Sequence, residues 1–148
     1  RPGALPLEAL EEVLGEVAVD AALLRPLGAG EKPKAPGMKY RHYAPKAPVT
    51  VVLGDPTATA DYIAAHLGEH TGIICFDEWA GRFAGHVVEN IGSAARKDEQ
   101  ARRVFDALRA FDHTDVTEIY AQCPHEDGLG LAVANRLKKA AGFHVVEV

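Results

Sequence analysis

Hydrophobic and polar positions follow different rules in different parts of the chain. In residues 6–14, PLEALEEVL, the apolar side chains Leu7, Leu10, Val13 and Leu14 recur at helical spacing. This predicts one short helix, with Pro6 suited to a first-turn position and Gly15 to a C-terminal cap. Residues 16–48 keep no period and contain Pro26, Pro33, Pro36, Pro45 and Pro48 together with Gly28, Gly30 and Gly37. Proline lacks a donor and biases the residue before it away from helix, so this stretch reads as an extended linker.

From residue 49 the pattern becomes regular. The β-branched run Val49-Thr50-Val51-Val52-Leu53 ends at Gly54-Asp55-Pro56, and residues 57–67 read as a helix with Ala60, Ile63, Ala64 and Leu67 inward. Further strands are predicted at Ile73-Ile74-Cys75-Phe76, at residues 86–91, at residues 118–123 and at residues 144–148. Helices are predicted over 97–111 and 129–141, the first with Ala101, Val104, Phe105, Leu108 and Phe111 in one stripe. Strands alternating with long helices indicate an α/β, Rossmann-like, three-layer domain with a mostly parallel sheet of about five strands, preceded by a long extended linker. Residues 77–85 are barely long enough for a parallel crossover, so the pattern leaves the direction of the third strand open.

Composition narrows the class. At 148 residues, 47% hydrophobic and 25% charged, the chain has the make-up of a globular protein with one core. No apolar run approaches the roughly 18–20 residues needed to span a bilayer, and a cytoplasmic location is the expectation. The first residue is Arg1, not Met, which is read as the mark of a piece of something longer. Cys75 and Cys123 sit in apolar strand-like runs without zinc-ligand spacing, and both are expected to be buried reduced thiols.

The net charge of −5 is unevenly spread. Residues 31–46 hold five Lys or Arg against one acid, leaving 11 basic against 20 acidic side chains elsewhere. An acidic body with one basic strap is a poor nucleic-acid platform, so direct tRNA or other nucleic-acid binding is not expected. The strap itself suits phosphates.

Within that strap, Lys39-Tyr40-Arg41-His42-Tyr43 lies between Pro36-Gly37 and Ala44-Pro45. Arg and Lys can hold phosphate and Tyr can stack on a base, so the segment can wrap a nucleotide. Composition alone favours a solvated basic linker, although such linkers are usually poor in aromatics. A second candidate is Pro124-His125-Glu126-Asp127-Gly128-Leu129-Gly130, a glycine-rich turn at a helix start. It lacks dinucleotide and P-loop spacing, and Glu126 and Asp127 repel phosphate, so a tight turn with an Asp cap is the preferred reading.

The histidines form no recognisable site. His66 and His70 stand four apart, and His125-Glu126-Asp127 offers ligands, but no third partner has metal spacing, and no metal is expected. Ser93, the only serine, has no nucleophile-elbow context. Asn135-Arg136, Arg109 and Asp112 read as solvated polar positions or helix-terminal charge pairs, with a domain contact as the alternative.

Several segments agree with one family. Arg1-Pro2-Gly3-Ala4 with residues 10–15, LEEVLG, the run APGMKYRHYAP at residues 35–45, and Gly128-Leu129-Gly130-Leu131-Ala132 with NRLKKAA at residues 135–141 resemble the long, two-domain form of threonylcarbamoyl-AMP synthase. The resemblance implies that residues 1–15 end an upstream catalytic domain, 16–48 form the interdomain linker and 49–148 the C-terminal accessory domain. It implies a parent nucleotidyltransferase that condenses L-threonine, bicarbonate and ATP into threonylcarbamoyl-adenylate for tRNA modification. ATP and magnesium would belong to that parent, with no cofactor in this portion and the N-terminal catalytic domain as the missing partner. In the parent, Arg1, Lys39, Tyr40, Arg41, His42 and Tyr43 would bind the nucleotide, the linker acting as a lid. The family's catalytic domain carries Lys-x-Arg and Ser-x-Asn elements. This sequence has no Ser-x-Asn, and Lys39-Tyr40-Arg41 lies in the linker, so no catalytic residue and no activity are expected of this portion alone. An independent small-ligand or partner-binding α/β module is the other reading.

Overall fold

The computed structural model of the chain describes residues 5–19 and 44–148. Its elements run α1 (Leu7–Leu14), β1 (Val49–Leu53), α2 (Pro56–Ala65), β2 (Thr71–Cys75), a 3-10 segment (Asp77–Phe83), β3 (Val87–Asn90), α3 (Lys97–Ala110), β4 (Glu118–Cys123), α4 (Leu129–Ala140) and β5 (Val145–Glu147). The five strands lie in the order β3-β2-β4-β1-β5, every neighbouring pair parallel.

The direction that the sequence left open for the third strand is therefore parallel. The short crossover succeeds because a 3-10 segment rises about 2.0 Å per residue. Seven residues return the chain by roughly 14 Å, about the length of a four-residue strand.

The alternation of the strands divides two cores. Val49, Val51, Ile74, Phe76, Ile119, Ala121 and Cys123 pack with Val104, Ala107 and Leu108 of α3 and Val133, Ala134, Leu137 and Ala140 of α4. Val52, Ile73 and Cys75 pack with Ala60 and Ile63 of α2 and with Phe83. With helices on both faces, β2 is buried at all five positions, which is why its sequence shows no polar alternation. Gly72 in β2 is required by packing, since a Cβ there would lie 2.6 Å from Cε1 of the buried Phe111 ring.

The body begins before β1. Pro45 is buried, Ala47 packs on the first core, and the Lys46 amide donates to Oδ1 of Asp112 at 3.0 Å. Helix α1 forms as its periodicity predicts and ends at Gly15 with φ +80°. Its apolar stripe does not become core, however. No residue of α1 is buried, and Val13 and Leu14 are 82% and 69% exposed.

Candidate functional site

Connections after β1 and β2 lead toward the β3 edge, through α2 and the 3-10 segment on one face. Those after β3 and β4 lead back through α3 and α4 on the other. Adjacent strands β2 and β4 thus send their loops in opposite directions. Such a switch point at the carboxyl edge is where open α/β sheets bind ligands.

Gln122, near the end of β4, organises this edge. It is fully buried; its Oε1 accepts from the Phe76 amide at 2.9 Å, and its Nε2 donates to the Pro56 carbonyl at 3.0 Å and Thr59 Oγ1 at 3.1 Å. One amide side chain therefore joins the ends of β1, β2 and β4. Asp55 caps α2, its Oδ2 accepting from the amides of Thr57 (3.0 Å) and Ala58 (3.4 Å).

The β4–α4 turn is a tight turn, but Asp127 is not its cap. Gly128 is the N-cap residue, at φ +53° and ψ −133°, with no side-chain cap bond. Asp127 instead pairs with Lys97 of α3, which holds its carboxyl below the usual range. Glu126 pairs with Lys138, whose side chain is only 9% exposed. The Gly128 amide donates to Oε1 of Glu8 at 3.0 Å, and this bond is the main reason that the Glu8 carboxyl also lies below its ordinary value. Both acids of the turn are thus neutralised by lysines, and the first amide of the helix is occupied by a carboxylate of the same chain.

The nucleophile inventory at this edge is correspondingly poor. Cys75 and Cys123 are free and buried as expected, and burial, with Asp77 and Glu126 adding to it respectively, pushes each thiol up to about 12. Such thiols are inert at neutral pH. The Ser93 hydroxyl donates to Glu78. Burial raises Glu78, but the Ser93 hydroxyl and the Ala94 amide outweigh it and leave the carboxyl below its usual value.

The remaining sequence candidates lie apart. His66 stacks on Tyr62 at 4.0 Å and reaches the Tyr62 carbonyl through Nδ1, while His70 faces Asp115 at 3.4 Å. Among the described residues no three His, Cys, Asp or Glu side chains gather as a metal-binding group. Arg109 and Arg136 both lie over the Phe105 ring, at 5.5 and 5.4 Å; Asn135 is buried and Arg136 half-buried, so these two are packed rather than solvated, whereas Arg109 stays exposed. Asp112 accepts the Lys46 amide rather than pairing with Arg109. Arg1, Lys39, Tyr40, Arg41, His42 and Tyr43 lie outside the described residues. Sequence reasoning passed over Gln122 and Glu8. The first had a visible signal, a glutamine in an otherwise apolar strand end, and the second had none, since its partner is 120 positions away.

Comparison with known proteins gives this arrangement a family. The family described as "Threonylcarbamoyl-AMP synthase, C-terminal domain" matches residues 5–142. Threonylcarbamoyl-AMP synthase of Bacillus subtilis (strain 168) is 38% identical over 148 residues, covering 99% of this chain and 42% of the relative. The protein of the same name from Pyrococcus abyssi (strain GE5 / Orsay) is 40% identical, with 100% of this chain and 43% of the relative covered. The crystal structure of P. abyssi Sua5 complexed with L-threonine matches the whole chain with a TM-score of 0.78 at 39% identity, over 43% of its own length. The C-terminal Sua5 domain of a hypothetical Sua5 protein from Pyrococcus horikoshii matches 71% of this chain, over all of its own, with a TM-score of 0.55 at 32% identity. This chain spans less than half the length of the two named synthases. It belongs to the threonylcarbamoyl-AMP synthase C-terminal domain family.

Proposed function

We propose that this chain is the linker and accessory domain of a cytoplasmic nucleotidyltransferase that makes threonylcarbamoyl-adenylate from L-threonine, bicarbonate and ATP, with release of diphosphate. The adenylate then serves threonylcarbamoylation of adenosine in tRNA, without direct tRNA contact to this chain. The observation that carries the reading is the agreement of nearly the whole chain with relatives bearing the synthase name, while more than half of each relative lies beyond it. The chemistry belongs to that other portion, as do ATP and magnesium. In keeping with this, the described carboxyl edge spends its amides and charges on internal bonds. No helix among the described residues is long and apolar enough to cross a membrane.

The linker, on this reading, is a lid. Ordering a free strap costs about 1–2 kcal/mol of backbone entropy per residue, so an untethered one holds ATP poorly. The buried Pro45 and the Lys46–Asp112 hydrogen bond, directly after Tyr43, fasten its far end to the α/β body. Prolines and tethering lower the entropy that closure must overcome. Arg41 then contacts phosphate, with Lys39 adding charge and Tyr40, His42 and Tyr43 covering the nucleotide together with Arg1. A closed lid keeps water from a carbamoyl intermediate. Steady-state kinetics of the parent enzyme test this: Arg41→Ala is expected to lose on the order of 1.5–3 kcal/mol of transition-state stabilisation. Unaltered turnover and ATP affinity would reduce the linker to a tether.

A further inference from the structure

Helix α1 poses a physical problem that burial does not solve. Its eight residues fall short of the roughly 12–15 that an isolated helix needs for marginal stability. None of them is buried, and the stripe that should anchor it ends in the exposed Val13 and Leu14. What it does possess is Glu8, in its first turn, whose carboxylate lies 3.0 Å from the amide nitrogen of Gly128.

The receiving amide is well placed for the task. The first N–H groups of a helix have no intrahelical partner, and Gly128, as the residue before Leu129, presents one of them. Its φ of +53° with ψ of −133° is a backbone conformation that only glycine adopts without strain. Lys97 and Asp127 flank the contact, one attracting and one repelling Glu8, and they are engaged with each other. At about 100° per residue, Glu8 lies across α1 from Leu10, Val13 and Leu14. Glu8 itself is exposed and Leu7, Ala9 and Leu10 are half-buried, so the contact lies at the surface of a partly covered first turn, while Val13 and Leu14 stay open.

We propose that Glu8 is a positioning residue: its bond to Gly128 pins α1 to the start of α4 and sets the direction in which the polypeptide before α1 leaves the α/β body. The pin stands on this chain's own contacts; only its use in directing an upstream domain rests on the reading of a longer parent. The turn that the sequence marked as a possible anion cradle is, on this view, filled by an anion from the same chain.

A paramagnetic-relaxation experiment on the 148-residue chain tests the pin independently of any catalysis. Val13→Cys provides an exposed thiol on α1 for a nitroxide, while the buried Cys75 and Cys123, with thiols near 12, stay unlabelled at neutral pH. Broadening of the Gly128 and Leu129 amide signals is expected, falling at least twofold when Glu8→Ala is added. Glu8→Gln keeps an acceptor oxygen and should restore most of the broadening, whereas Glu11→Ala, on the same helix, should leave it unchanged. Equal broadening with and without the Glu8 side chain would overturn the proposal, as would failure of Glu8→Gln to rescue a chain whose β4–α4 signals remain native.

Discussion

The α/β body and helix α1 use the same apolar residue types to opposite ends. In the body, valine, isoleucine and leucine at strand and helix spacing disappear into two cores, one on each face of the sheet. In α1, apolar residues at equally good helical spacing are only half-buried at Leu7 and Leu10 and exposed at Val13 and Leu14, and a carboxylate adds a hydrogen bond to the body. The contrast teaches that periodicity specifies a helix and its apolar face, but not which partner covers that face. The body satisfies its pattern internally; α1 does so only in part.

The sharpest way to break this comparison is a pair of truncations of apolar side chains. Phe76→Ala, in the first core, is expected to destabilise the chain by about 3–5 kcal/mol through lost transfer energy and a cavity. Leu14→Ala should stay within about 0.5 kcal/mol, as exposed substitutions do. Denaturant unfolding measures both, and similar losses would mean that α1 is part of the core. Next in size is Gln122→Ala, which strands the buried Phe76 amide and should cost about 1–3 kcal/mol. A smaller loss would show that the edge finds other partners. The smallest effect is expected from removing residues 1–43. The truncated chain from residue 44 keeps Pro45, the Lys46–Asp112 bond and both cores, so it should retain one cooperative thermal transition. Loss of that transition would place the N-terminal segment within the folding unit.

Most of the fold was legible because the strands are short, β-branched and separated by helices with clear stripes, such as Val104, Leu108 and Phe111 on α3 and just past its end. The direction of β3 was not, because crossover length depends on whether the connecting segment is α-helical or 3-10, a difference that pattern does not reveal. The turn at residues 124–130 was legible as a turn, yet the role of Asp127 was misread. Local sequence favoured a cap, while Lys97, thirty positions earlier, offered a full charge. Glu8 and Gly128 were unreadable for the same reason at greater range. Arg136 looked solvated because its cation–ring contact with Phe105 needs α3 and α4 side by side before it exists, whereas the Arg109–Phe105 contact lies within α3, four positions apart. The strap at residues 39–43 stood out from its charge, its tyrosines and its flanking prolines, which is information that the sequence carries on its own.

On the proposed reading, this chain supports a nucleotide chemistry performed elsewhere in a longer enzyme. Diphosphate release by the purified 148-residue chain, measured with ATP, L-threonine and bicarbonate present and with each left out in turn, tests it most directly. No release that depends on both threonine and bicarbonate is expected; such release from this chain alone would overturn that reading.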